Sequence, residues 1–225
     1  MTYIESVFIC LTAPMLVGAI CAGRKYCRAF VFVIAGYVAC LLAAYINSFF
    51  ARFYGADIVA AAVEIAPVVE EILKLLPLVF YILIFEPKTK DAQMAIFTIA
   101  ASFATFENAC YLTEHGATQV LHLLMRGFGA GAMHIICGVL IGYGLIFIWK
   151  YPWLKLAGTF GLLCAAITYH AIFNLLVSAG GAMQTLGYLF PIVTVTIGII
   201  IMRIMGYPQG PIYKEEKSED FGATF

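Results

Sequence analysis

Glu70, Glu71 and Lys74, then Glu107 with Asn108, then Arg126 and His134, and finally His170 with Asn174 are ionisable or amide side chains set in otherwise apolar runs. An ionisable group inside such a run costs on the order of 2.5–3.5 kcal/mol on insertion scales, so each is by default a hypothesis about function. Two adjacent carboxylates in one helical turn repel each other, which poises one of them as a base. Glu70 and Lys74 stand four residues apart, so the lysine can pair with a glutamate and offset a buried double carboxylate. His170 and Asn174 share that spacing and present an imidazole and an amide from one helix face. Glu70, Glu71, His134 and His170 also make an N/O donor set that zinc would accept. Arg126 and Lys74 read as charge partners.

The elements that position these residues are membrane helices. Of the 225 residues, 63% are hydrophobic and 12% charged, where a soluble chain carries roughly a quarter charged, so a soluble globular domain is excluded. Apolar runs of about 20 residues, each enough for one crossing of a ~30 Å core, give seven spans. They cover 4–22, 29–51, 67–85, 91–112, 120–149, 156–178 and 183–205. The fold class expected is all-α: a polytopic transmembrane bundle of about seven spans, one domain over 1–207, with 208–225 as a disordered cytoplasmic tail. Pro67 suits a first helical turn, where its missing N–H costs nothing. The preceding 58–65 is therefore expected as a separate short helix, interfacial or re-entrant. A net charge of zero argues against a nucleic-acid partner. Seven cysteines without CxxC spacing read as small buried residues.

Depth groups the polar residues. At 1.5 Å per residue from the inner end of each span, Glu70 lies about 22 Å up, Glu107 about 24 Å, His134 about 22 Å and His170 about 21 Å. Four helices thus place a carboxylate or imidazole at one level, which predicts one polar chamber near one face. Ten Lys and Arg (Arg24, Lys25, Arg28, Lys88, Lys90, Lys150, Lys155, Arg203, Lys214 and Lys217) flank one side of the spans, against Arg52 on the other. The positive-inside rule then puts the N-terminus outside, the C-terminus in the cytoplasm, and the chamber near the outer face of a plasma membrane.

Glu70-Glu71-Ile-Leu-Lys74, Phe103-Ala-Thr-Phe-Glu107-Asn108, Arg126 followed by His134 with Gly138 one turn on, and His170-Ala-Ile-Phe-Asn174 occur in order on successive spans. In this the chain resembles the PrsW family of intramembrane proteases, from about Ala66 to Val177. The related CAAX prenyl endopeptidases have EExxxR in place of EExxK and a histidine where this chain has Glu107, which sets a prenylated substrate aside. The resemblance implies hydrolysis of a peptide bond in a single-pass membrane protein such as an anti-sigma factor, cut on the outward side. It further implies Glu70 or Glu71 as the base, Glu107 as an orienting or relaying group, and His170 and Asn174 as holders of the oxyanion. His134 is a second polariser or a metal ligand. Metal-free glutamate chemistry is the leading reading, with no cofactor required and zinc as the alternative.

The chain has no HExxH and no GxSxG, and its only aspartates are Asp57, Asp91 and Asp220, which excludes serine and paired-aspartate chemistry. A proton or cation transporter would need polar groups reaching both faces. The inner halves of spans 3 to 6 carry no ionisable residue beyond Lys74. A non-catalytic scaffold of the same fold is the other competing class, and cleavage of a co-expressed substrate separates it from an enzyme.

Overall fold

The structure is a computed structural model that describes residues 3–116 and 119–205. The proposed tail at 208–225 lies outside the described residues. Those residues form helices, with no strand among them. In chain order they are α1 (Tyr3–Cys21), α2 (Gly23–Tyr54), α3 (Ile58–Ala60), a π turn (Ala61–Ile65), α4 (Ala66–Phe85), α5 (Thr89–His115), α6 (Val120–Ile148), a 3₁₀ turn (Pro152–Leu154), α7 (Lys155–Ser178) and α8 (Gly181–Ile204). Six of these helices, α1, α2, α5, α6, α7 and α8, are long and apolar enough to cross a membrane on their own. With 20 residues, or about 30 Å, α4 is as long. Its three charges are turned into protein: the Glu70, Glu71 and Lys74 side chains are 12%, 0% and 5% exposed.

The largest departure from the expected boundaries is α2, which runs 32 residues. Hydropathy marks where a helix enters lipid, not where it starts. Arg24, Lys25 and Arg28 are good helix formers and continue the helix beyond the apolar core. Gly23, at φ +65°, makes the turn from α1, a conformation that favours glycine.

The segment before Pro67 also differs from expectation. It is not a separate helix but runs through the π turn directly into α4. Asp57 starts it as N-cap, its carboxylate accepting from the Ala60 N–H at 2.7 Å. The Ala66 N–H then bonds the Ala61 carbonyl, five residues back. A helix interior rejects proline because it lacks the i to i−4 donor and its ring crowds the preceding turn. Widening that turn by one residue lets the helix pass Pro67 unbroken.

Two apolar clusters hold the bundle. One gathers Leu75, Leu78, Ile96, Met133, Cys137 and Phe173 from α4, α5, α6 and α7. The other gathers Tyr37, Ala43, Val69, Phe103 and Phe106 from α2, α4 and α5. All seven cysteines are free, but only Cys40 and Cys137 are buried. A span's outward face is covered by lipid, so apolar character there does not imply burial in protein.

The helices α2 and α5 touch backbone to backbone at Gly36, where an added Cβ would strike Ser102 Oγ and lie 2.6 Å from the Ile99 carbonyl oxygen. Backbone cannot yield as a side-chain tip can, so Gly36→Ala is expected to lower stability by about 1–3 kcal/mol. Thermal unfolding in detergent reads this, and an unchanged midpoint would show that the two helices are not held at that distance.

Candidate active site

Four helices meet over the polar residues. The α4 turn after Pro67 carries Glu70, Glu71 and Lys74 inward, α5 supplies Glu107, α6 supplies Arg126 and His134, and α7 supplies His170. Lys74 Nζ lies 2.6 Å from Glu71 Oε1 and 3.0 Å from His134 Nδ1. Helical spacing allowed Lys74 either glutamate; packing gives it Glu71. His170 Nδ1 stands 2.7 Å from the same Glu71 oxygen. On the far side, His134 Nε2 is 2.5 Å from Glu107 Oε2, and Arg126 Nη2 donates to Glu107 Oε1 at 3.2 Å. The two imidazole rings are perpendicular, 5.2 Å apart. Phe103 lies under Lys74 Nζ, and Tyr111 faces the Arg126 guanidinium at 3.7 Å. Desolvated cations favour such aromatic faces.

The partners assign the protons. Lys74 can only donate, so His134 Nδ1 accepts and its Nε2–H is given to Glu107. Glu71 Oε1 accepts, so His170 carries a proton on Nδ1, and in the neutral imidazole Nε2 is the lone pair. That nitrogen faces Glu70 Oε2 at 3.8 Å. Glu71 thus has Lys74, and Glu107 has Arg126. Glu70 has no Lys or Arg at ion-pair distance among the described residues, and its Oε2 is buried without a hydrogen-bond partner. Its other oxygen accepts from Asn47 Nδ2 at 3.3 Å.

Seven of the expected site residues (Glu70, Glu71, Lys74, Glu107, Arg126, His134 and His170) therefore form one connected network. Two do not join it. Asn174 Nδ2 donates to the Ala62 carbonyl in the π turn at 2.8 Å, and the Asn108 side-chain oxygen is buried without a partner. Sequence reasoning missed Asn47, whose signal is that it is the one amide in the apolar run 29–51.

A family model described as PrsW family intramembrane metalloprotease matches residues 24–203, most of the chain. The chain belongs to the PrsW family. It is a multi-pass membrane protein of an intramembrane peptidase family. Among curated proteins it is also similar to a phospho-N-acetylmuramoyl-pentapeptide-transferase of Pelobacter propionicus, 29% identical over 110 residues, covering 44% of this chain. The chain spans 30% of the length of that relative. No solved structure matches.

The PrsW family description names a metal, and the residues of this chain fit one. Glu70, His134 and His170 each offer a ligand atom, all within 4.8 Å of one another. That is a two-histidine, one-glutamate set of the kind that catalytic zinc takes, and bonds of about 2.0–2.2 Å require it to close by only an ångström or so. Glu70 Oε2 and His170 Nε2 already face each other at 3.8 Å. Each histidine is backed by a carboxylate, Glu71 on His170 and Glu107 on His134, as metal-bound imidazoles commonly are. Lys74 beside His134 Nδ1 would have to withdraw for that nitrogen to bind.

Proposed function

We propose that this PrsW protein hydrolyses a peptide bond of a single-pass membrane protein close to the outer membrane face, an anti-sigma factor being one such substrate, with its N-terminus outside and its C-terminus in the cytoplasm of a cell bounded by that membrane. The observation that carries the reading is Glu70 Oε2, buried without a hydrogen-bond partner, opposite His170 Nε2 at 3.8 Å. A water entering there gives one hydrogen to each, and its oxygen is left facing out of the pair. Glu70, the carboxylate without a cation, takes the proton as that oxygen attacks the scissile carbonyl. The developing oxyanion is met by the positive side of the network, Lys74 with His134 behind it, in a site from which bulk water is shut out. Glu71 keeps His170 in its tautomer, and Glu107, anchored by Arg126, does the same for His134.

A second reading is supported by the Glu70, His134 and His170 donor set: a zinc ion held there would supply Lewis-acid activation of the water. His134→Ala and His170→Ala are each expected to lower cleavage at least ~100-fold while the protein still inserts. Metal analysis of the purified protein, repeated on both variants, separates the two readings. Stoichiometric zinc that is lost in both variants supports the metal; full activity in protein stripped of metal supports glutamate chemistry alone.

Depth gives a further expectation. A site about 21–24 Å above the inner helix ends in a ~30 Å core is reached by water from outside. A substrate helix unwinds its i to i−4 bonds more readily there than mid-bilayer. Mass spectrometry of the released ectodomain should place the new C-terminus at or just beyond the outer boundary of the substrate's spanning helix. A cut in its inner half, or an alkaline phosphatase fused after Phe225 and active outside the cell, overturns the orientation.

A further inference from the structure

The carbonyl of Ala62 has no backbone donor in either helical register. In an α-register it would accept from Ala66, whose N–H is bonded to Ala61 instead. In the π register it would accept from residue 67, which is proline and has no N–H. Leaving a carbonyl unpaired in the bilayer costs several kcal/mol. Asn174 answers it, at 2.8 Å, from a helix more than a hundred residues further along the chain.

We propose that Asn174 is a positioning residue: by capping the Ala62 carbonyl it locks the π turn, and with it the rotation of the α4 turn that aims Glu70 and Glu71 into the site. The geometry makes α7 a two-point clamp on α4. His170 and Asn174 lie one turn apart on the same face; His170 holds Glu71 after Pro67, and Asn174 holds Ala62 before it. A π turn contains one residue more than an α turn, so its loss rotates neighbouring residues by about 100° relative to what precedes them. Glu70 follows the turn by only five residues and has no cation to hold it in place, so it depends on that register more than Glu71, which Lys74 anchors. The proposal rests on the proteolytic reading for its consequence, and differs from a role for Asn174 as oxyanion donor.

The test uses the full chain reconstituted with a single-pass substrate. Asn174→Ala should lower kcat by up to about 100-fold, the cost of roughly ångström misplacement of a catalytic group, with KM little changed. Pro67→Ala removes the proline that imposes the π turn, so the helix can return to an α register in which the Ala66 N–H caps the Ala62 carbonyl; Asn174→Ala should then slow cleavage by less than about twofold further in the Pro67→Ala background. An oxyanion donor would still cost its full factor in that background, and an undiminished effect of Asn174→Ala beside Pro67→Ala overturns the proposal. Hydrogen exchange of the 58–68 segment is the second readout and needs no substrate: it should accelerate in Asn174→Ala, and unchanged exchange also overturns the proposal. Asn174→Leu, which keeps the volume and removes the donor, stands in if the alanine variant fails to insert. Absence of cleavage in the parent protein defeats the proteolytic reading alone, and the exchange result then decides the role of Asn174 by itself.

Discussion

Glu70→Gln is expected to lower cleavage at least ~100-fold without lowering stability, since removing a general base typically costs that much. The prediction singles out Glu70 because of how the network's charges are shared. Three carboxylates face two permanent cations, and both cations are taken: Lys74 by Glu71 and Arg126 by Glu107. Neutralising Glu70 strands no cation, the glutamine carbonyl can still accept from Asn47, and the new amide takes the place of an oxygen that already lacked a partner and faces His170 Nε2, so the cost in stability is small. Activity and stability should therefore part company. Cleavage of a reconstituted substrate, with thermal unfolding of the same sample, reads both, and cleavage within tenfold of the parent would end the assignment of Glu70 as base. Metal content adds a third axis: it stays unchanged if Glu70 acts on water alone and falls if Glu70 is a zinc ligand.

The division of labour between Glu70 and Glu71 is the kind of feature that the sequence hides. The helices were legible because apolar runs of about 20 residues have one solution in lipid, and the network was legible because charged residues in those runs stand out and fall at one depth. Adjacent residues, however, point about 100° apart on a helix, and Lys74 is within helical reach of both glutamates. Only the packing of α4 against α5, α6 and α7 decides that Glu71 receives the lysine. Asn47 stayed hidden because a lone uncharged amide in a span reads equally well as interhelical glue. The π turn stayed hidden because its cause is shared between Pro67 and Asn174, on different helices. The spacing of His170 and Asn174 showed only that they share a helix face, and the family resemblance implied a common oxyanion target, whereas Asn174 bonds backbone.

Lys74 carries the other large expected effect. It is 5% exposed, against a fully buried Glu71 at 2.6 Å, and it also donates to His134. Removing one partner of such a pair leaves an uncompensated charge and typically costs 3–5 kcal/mol, whereas replacing both with groups of similar size is often close to neutral. Lys74→Met and Glu71→Gln should accordingly each destabilise the protein by about 3–5 kcal/mol, and the double variant should recover most of that loss. The glutamine oxygen can still accept from His170 Nδ1, so the second imidazole keeps its tether in the double variant. Activity should not recover with stability. Without the ammonium, the network offers no permanent positive charge beside the Glu70–His170 pair, and cleavage should stay at least ~100-fold below the parent in Lys74→Met and in the double variant. Unfolding in detergent measures the coupling. A double variant as unstable as the worse single one would show that Lys74 and Glu71 do not hold each other, and a double variant that regained cleavage would remove Lys74 from the chemistry.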